Sequence, residues 1–208
     1  IGPRSWMRGV GLGAAVWGLV PLIAAWPMFA TVKGGFSLVD YVSGARAGSE
    51  VAVQRDLVLE PSRPDLALDL YAGQGAGPRP LVVVIHGGSW QRGDKGMIPH
   101  TSMAFAAAGY SVADIQYRLA PEHKFQAQVA DVKCQVGLLS AAAQRLRIDP
   151  RRIALLGRSA GGHPATIAAY TKNDAKLPPG CELPGGEADV AAVISVYPAG
   201  DLKEAYAN

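Results

Sequence analysis

The sequence predicts a mostly parallel β-sheet with helices on both faces, and two observations carry this prediction. Apolar runs with strand character recur along the chain at 80–85, 110–116, 152–156 and 190–197. The first of these runs is rich in β-branched residues, which is typical of a strand buried on both faces. Helix-like segments separate the runs, and strands that alternate with helices favour a parallel sheet.

Two further strands are predicted ahead of the buried run. Residues 51–59 and 66–71 alternate apolar and polar side chains, the pattern of two half-exposed antiparallel strands at one edge of the sheet. A glycine-rich turn at 73–80 then leads into the buried strand.

Three helices are predicted, at 102–108, 126–147 and 163–172. The first ends at Gly109. In the second, apolar residues recur at three- and four-residue steps, which predicts an amphipathic helix packed on the sheet. Its inward residues are Val129, Val132, Val136, Leu139 and Ala143. A polar, proline-rich excursion at 173–189 precedes the last predicted strand.

The chain has 208 residues, which is enough for one sizeable core. Its net charge of +3 is small and scattered, so the composition argues against a nucleic-acid partner. Cys134 falls in the helix predicted at 126–147, and Cys181 falls in the excursion. We expect two unpaired thiols here rather than a disulfide.

The segment 9–32 contains no charged residue, and Arg4, Arg8 and Lys33 flank it. As a helix its 24 residues would be about 36 Å long, enough to cross a bilayer. We favour a retained membrane anchor over a cleaved signal peptide or a helix packed on a soluble partner. The arginines in front favour a non-cytoplasmic location for the rest of the chain, with a secreted or cytoplasmic protein as the alternative.

The predicted organisation is therefore a hydrophobic segment at 1–33, a linker at 34–50 and an α/β domain at 51–208. A serine lies in a tight turn between a predicted strand and a predicted helix. The turn has the sequence Gly157-Arg158-Ser159-Ala160-Gly161. Such a turn exposes the Ser159 hydroxyl, and the Ala160 amide faces the same reaction zone.

A second motif complements the serine turn. The buried strand ends in His86-Gly87-Gly88-Ser89-Trp90. Glycines after a central strand leave amides free to donate to an oxyanion, so Gly87 and Gly88 are candidate donors. Trp90 is a candidate substrate contact, although core packing explains it equally well.

The chain resembles the α/β-hydrolase family, within the branch of hormone-sensitive-lipase-like carboxylesterases and lipases. The resemblance rests on three blocks in the family's order, at 86–90, 114–125 and 157–163. It implies an α/β-hydrolase fold that lacks its last strands, a Ser159 nucleophile, and an oxyanion hole from Gly87, Gly88 and Ala160. It implies a small-molecule ester substrate, with neither metal nor cofactor required.

A hydrolase of this type also needs a histidine and an acid. The resemblance implies that both the histidine and the acid come after the serine turn in the sequence, on later loops beyond Asn208. His86 is expected to hold the glycine loop by hydrogen bonds, and His163 to lie one helical turn below Ser159. Asp201 fits a helix cap better than a catalytic acid. The 208 residues alone are therefore predicted to have little or no turnover.

Two classes of function stay open at this stage. The first is an ester hydrolase that forms an acyl-enzyme on Ser159. The second is a non-catalytic, hydrolase-like binding module. Within the enzymes, an arylformamidase-like or feruloyl-esterase-like activity is the nearest alternative. The resemblance extends to such families because they have the same glycine-serine motif as residues 157–162.

Overall fold

The computed structural model describes residues 51–73 and 75–199, and these residues form a mixed six-stranded sheet with helices on both faces. The strands lie in the order β1-β2-β4-β3-β5-β6. Their bounds are β1 (Val53–Leu57), β2 (Leu68–Tyr71), β3 (Arg79–Ile85), β4 (Ser111–Ile115), β5 (Ile148–Arg158) and β6 (Ala192–Val196). The helices are α1 (Pro99–Ala107), α2 (Phe125–Ala141), α3 (Ala143–Leu146) and α4 (Gly162–Tyr170).

The strand pairing confirms a mostly parallel sheet. Strand β3 pairs in parallel with β4 and β5, and β5 pairs in parallel with β6. Strands β1 and β2 form the predicted antiparallel edge, and β2 also pairs antiparallel with β4. The prediction of two half-exposed strands is wrong for β2, since all four of its residues are buried. Pairing with β1 on one side and β4 on the other makes β2 an internal strand.

The core lies on both faces of the sheet, because successive side chains of each strand point to opposite faces. Leu81, Val83 and Ile85 of β3 pack with the inward residues of α2 and with α4. Val82 and Val84 pack with Ala106 of α1 on the other face. All five inward residues predicted for α2 and its continuation are buried.

The second predicted helix is interrupted. The predicted segment at 126–147 divides into α2 and the short α3, with Ala142 between them. Arg147 ends α3 in the left-handed conformation, with φ of 56°. Strand β5 then begins at Ile148, ahead of Asp149 and Pro150, so it is longer than the sequence pattern predicts.

The excursion at 173–189 is fastened to α2, and the expectation of two unpaired thiols is wrong. Cys134 of α2 and Cys181 form a disulfide, with their Cα atoms 5.5 Å apart. Beside it, the Gly180 amide donates to the carbonyl of Ala130 over 2.8 Å. Lys133 donates to the Leu177 carbonyl and pairs with Glu187 at 3.0 Å. The excursion therefore folds back onto the helix, a contact that local sequence patterns do not reveal.

No helix within 51–73 and 75–199 has both the length and the apolar character needed to cross a bilayer. The segment 9–32, for which an anchor is predicted, lies outside the described residues. The anchor therefore stays a prediction.

We predict that reducing the Cys134–Cys181 disulfide lowers the free energy of unfolding by about 2–4 kcal/mol, because it closes a loop between residues 47 positions apart. Urea denaturation with and without dithiothreitol measures this difference. The double variant Cys134→Ala/Cys181→Ala is the control and should not respond to the reductant. Identical curves for the wild-type protein in both conditions would contradict the prediction.

Candidate active site

The serine turn lies where β5 passes into α4 through one turn of 3₁₀-helix, Ser159–Gly161. Ser159 has φ of 50°, in the left-handed region that residues with a Cβ rarely adopt. Backbone strain of this kind is maintained only where the surrounding structure enforces it, and it is common at functional sites. The turn holds the serine at the carboxyl end of β5, in line with the start of α4.

Close backbone packing enforces this turn. A Cβ on Gly161 would lie 2.2 Å from the carbonyl oxygen of His86 and 2.4 Å from that of Ile85. A Cβ on Gly157 would lie 2.4 Å from the Gly161 carbonyl oxygen. Only glycine fits at either position, so the turn is seated directly against the end of β3.

The loop after β3 passes beside the serine. A Cβ on Gly87 would lie 3.2 Å from Cβ of Ser159, so the two residues are in contact. Gly88 has φ of 120°, which favours glycine, and it turns the loop away from the strand. Among the described residues, neither the Gly87 nor the Gly88 amide has a backbone or side-chain acceptor. Two N–H donors without an acceptor in the described part of the chain therefore lie close to the serine.

His86 supports this loop from below and is 1% exposed. Its Nδ1 lies 2.7 Å from the Gly87 carbonyl oxygen, and its Nε2 lies 3.1 Å from Oε1 of Gln116. The ring stacks on Tyr117, whose hydroxyl donates to the His86 carbonyl over 2.9 Å. Burial lowers the pKa of His86, so the ring is neutral at pH 7. Its hydrogen bonding agrees with the supporting role expected from the sequence.

A cavity of about 160 Å³ opens at the serine. Its lining combines the glycine loop, the serine turn and two apolar residues that precede α1. The lining residues are His86, Gly87, Gly88, Met97, Ile98, Arg158, Ser159 and Tyr197.

The apolar wall of this cavity is held in place by charged and polar contacts on its far side. Lys95 pairs with Asp56 at 2.6 Å and with the buried Asp69 at 3.1 Å. The next amide, that of Gly96, donates to Oδ2 of Asp114 over 2.9 Å. These contacts fix the backbone just before Met97 and Ile98.

Asp114 is fully buried in β4, and its Oδ1 has no partner among the described residues. Burial raises the pKa of its carboxyl from 3.8 to about 6, and the nearby charge of Asp69 adds to the effect. The Gly96 hydrogen bond acts in the opposite direction and lowers the pKa. At neutral pH the Asp114 carboxylate is therefore ionised behind the cavity wall, and burying this charge lowers the stability of the fold.

Trp90 lines a second cavity, of about 200 Å³, together with Ser89, Phe125 and His163. The ring of His163 meets Trp90 edge to face, with centroids 6.0 Å apart, and it meets Phe125 at 5.9 Å. Trp90 does not line the serine cavity, and its role in substrate binding stays a prediction. His163 belongs to this second cavity as well.

The described residues supply no evident proton acceptor for Ser159. His86 lines the serine cavity, but both its ring nitrogens face hydrogen-bond partners inside the protein. His163 lines the other cavity. Asp201 lies outside the described residues, so neither of its two predicted roles is tested.

The sheet order, the serine turn and the adjoining glycine loop together define an α/β-hydrolase. A family model described as BD-FAE matches residues 68–208, which is more than half of the chain. The chain belongs to this family, and the resemblance to hormone-sensitive-lipase-like carboxylesterases is confirmed.

Curated relatives from Mycobacterium tuberculosis are esterases. Esterase LipC is 32% identical over 149 residues, a match that covers 70% of this chain and 36% of LipC. The probable carboxylic ester hydrolase LipM is 36% identical over 138 residues, covering 65% of this chain and 30% of LipM. The chain thus spans about a third of the length of these relatives.

Solved structures show the same fold. An inhibited esterase B from Lactobacillus rhamnosis superposes with a TM-score of 0.65 at 25% identity, covering 86% of this chain and 58% of that one. Thermogutta terrifontis esterase 2, phosphonylated by sarin, superposes with a TM-score of 0.60 at 27% identity, covering 73% and 54%.

We predict that Asp114→Asn becomes more stabilising as the pH rises from about 4 to about 7. Between 3.8 and about 6 the native carboxyl keeps a proton that the unfolded chain has released, so wild-type stability falls with rising pH. Asparagine cannot ionise, so the difference in the free energy of unfolding should grow by roughly 2–3 kcal/mol in favour of the variant.

Urea denaturation at a series of pH values measures the Asp114→Asn difference. Asp189→Asn is the control, because it removes a carboxylate that is 84% exposed and pairs with Lys172 at the surface. A change with pH in Asp114→Asn no larger than that in Asp189→Asn would contradict the prediction.

Proposed function

We propose that the protein is a serine carboxylic-ester hydrolase that works through an acyl-enzyme on Ser159. The observation that carries this proposal is the strained Ser159 in contact with Gly87, whose amide has no acceptor among the described residues. A nucleophile beside unpaired N–H donors is the arrangement that acyl transfer requires.

In the proposed reaction, Ser159 Oγ attacks the ester carbonyl carbon and gives up its proton to a base. The carbonyl oxygen becomes an oxyanion, which the amides of Gly87, Gly88 and Ala160 stabilise. The bond to the alcohol oxygen then breaks, and the alcohol leaves with a proton from the base. Water attacks the acyl-enzyme in the same way and releases the acid.

The base must hold a ring nitrogen or a carboxylate within hydrogen-bond reach of Ser159 Oγ. His86 is occupied in supporting the loop and has a lowered pKa. We therefore propose that the base and its orienting acid come from beyond the described residues. This proposal agrees with the expectation that the 208 residues alone have little turnover.

The relatives support ester chemistry. LipC and LipM carry the names of an esterase and a probable carboxylic ester hydrolase. Thermogutta terrifontis esterase 2 is phosphonylated by sarin, and an activated nucleophile of the kind proposed for Ser159 would react in this way. An aryl-ester or arylamide substrate remains the alternative within the enzymes.

The Cys134–Cys181 disulfide indicates the cellular compartment in which the domain folds. Disulfides form and persist in oxidising compartments, and Cys134 is fully buried in its disulfide. We infer that the domain is located on the non-cytoplasmic side of a membrane or outside the cell, as the residues flanking 9–32 also indicate. Membrane association through 9–32 is part of this proposal.

We predict that Ser159→Ala lowers kcat/KM of the full-length protein for 4-nitrophenyl butyrate by about a thousandfold or more, because the proposed acyl-enzyme forms on the Ser159 hydroxyl. The rate of 4-nitrophenolate release measures this loss. Ser62→Ala removes an exposed hydroxyl whose partner among the described residues is Glu60, and it should keep wild-type activity. Undiminished hydrolysis by Ser159→Ala, or none by the wild-type protein, would contradict the proposal and favour a binding module.

A further inference from the structure

Arg158 stands out among the residues around the serine. It directly precedes Ser159, and it is the one arginine or lysine that lines the serine cavity within the described part of the chain. The remainder of that lining comprises a buried neutral histidine, glycines, Met97, Ile98, the serine and Tyr197. The cavity therefore has one positive wall in otherwise neutral surroundings.

The guanidinium of Arg158 contacts the side chain of Tyr197, which is 60% exposed. Its Nε donates to the hydroxyl of Tyr197 over 2.7 Å, and its Nη2 contacts the same oxygen. Its Cζ lies 5.5 Å from the centroid of the Tyr197 ring. Because Tyr197 follows β6 directly, two neighbouring strands fix the two side chains at the carboxyl edge of the sheet.

These contacts use one side of the guanidinium. Nε and Nη2 face Tyr197, so the end formed by Nη1 and Nη2 keeps donors for another acceptor. Among residues 51–73 and 75–199, no carboxylate forms an ion pair with Arg158, whereas Arg118 makes two charged hydrogen bonds to the buried Asp131. The charge of Arg118 is therefore neutralised by a buried carboxylate. The charge of Arg158 has no such partner among the described residues.

We propose that Arg158 binds a carboxylate carried by the substrate, so that the enzyme prefers esters with a negative charge near the scissile bond. A planar guanidinium can donate two parallel hydrogen bonds to a carboxylate, which gives both affinity and orientation. Arg158 adjoins Ser159 in the chain, so a carboxylate bound there lies within a small molecule's length of the reacting carbonyl. This inference rests on the proposed ester hydrolysis and names its substrate class.

The test compares charged and neutral esters of matched size on the full-length protein. The first pair is mono-4-nitrophenyl adipate and 4-nitrophenyl hexanoate, which places the charge on the acyl side. The second pair is 4-acetoxybenzoate and phenyl acetate, which places it on the alcohol side. For each pair we take the ratio of kcat/KM for the anionic ester to that for the neutral ester.

In Arg158→Gln this ratio should fall by about tenfold for at least one pair, since a hydrogen bond to a charged partner is lost. Arg158→Lys keeps the charge and should retain part of the preference. Added salt should lower the wild-type ratio but not that of Arg158→Gln. Arg151→Gln removes the same charge from the opposite end of β5 and should leave the ratio unchanged.

Comparing ratios within each enzyme preparation separates specificity from a general loss of activity. An unchanged ratio for both pairs in Arg158→Gln, with hydrolysis intact, would overturn this inference alone. An equal fall in Arg151→Gln would overturn it too, because net charge would then explain the effect. Hydrolysis of none of the four esters by the wild-type protein would overturn the proposed function and this inference together.

Discussion

The contact between the backbone of Gly161 and the carbonyls that end β3 is the constraint on which the rest of the site depends. It brings the two strand-to-helix connections of the central sheet so close that no side chain fits between them. The left-handed backbone of Ser159 and its contact with Gly87 both follow from this approach. A strained conformation of this kind costs free energy, and the well-packed core on both faces of the sheet offsets that cost.

Two sets of contacts support the site, one beneath the glycine loop and one behind the apolar cavity wall. Directly beneath the glycine loop, His86 is neutral, stacked and hydrogen-bonded, so it acts as a support. Farther out, Lys95 and Asp114 hold the segment that carries the apolar cavity wall. Hydrogen bonds and ion pairs in a buried setting orient groups well only if their partners are in place. The glycine loop that carries the proposed oxyanion donors thus depends on His86, and the apolar cavity wall depends on Lys95 and Asp114.

The sequence predicts the backbone geometry of the serine turn and the glycine loop better than it predicts the outer parts of the fold. Its strongest signals are local: a buried strand ending in glycines, and a strand-serine-helix turn whose glycine spacing reflects backbone contact. The parallel pairing and the inward face of α2 follow from periodicity and were predicted correctly. The disulfide was not predicted, because Cys134 and Cys181 meet only when the excursion folds back over α2. No local sequence pattern indicates that the excursion contacts the helix.

Other features also depended on tertiary context. The burial of β2 comes from its place between β1 and β4, although its own sequence alternates as a half-exposed strand would. The backbone turns at Ser89 and Trp90, which have positive φ of 55° and 60°, and Trp90 lines the second cavity instead of the serine cavity. Neither residue is a glycine, so the sequence carries no sign of that turn. The orientation of Arg158 likewise depends on Tyr197, 39 positions away.

The central claim is that the turn makes Ser159 a reactive nucleophile, and covalent labelling tests it most directly. The full-length protein, purified from its source, is treated with a fluorophosphonate and examined by intact-mass and peptide mass spectrometry. The account predicts a single adduct, located on Ser159. Absence of an adduct, or an adduct on another residue with Ser159 unmodified, would contradict it.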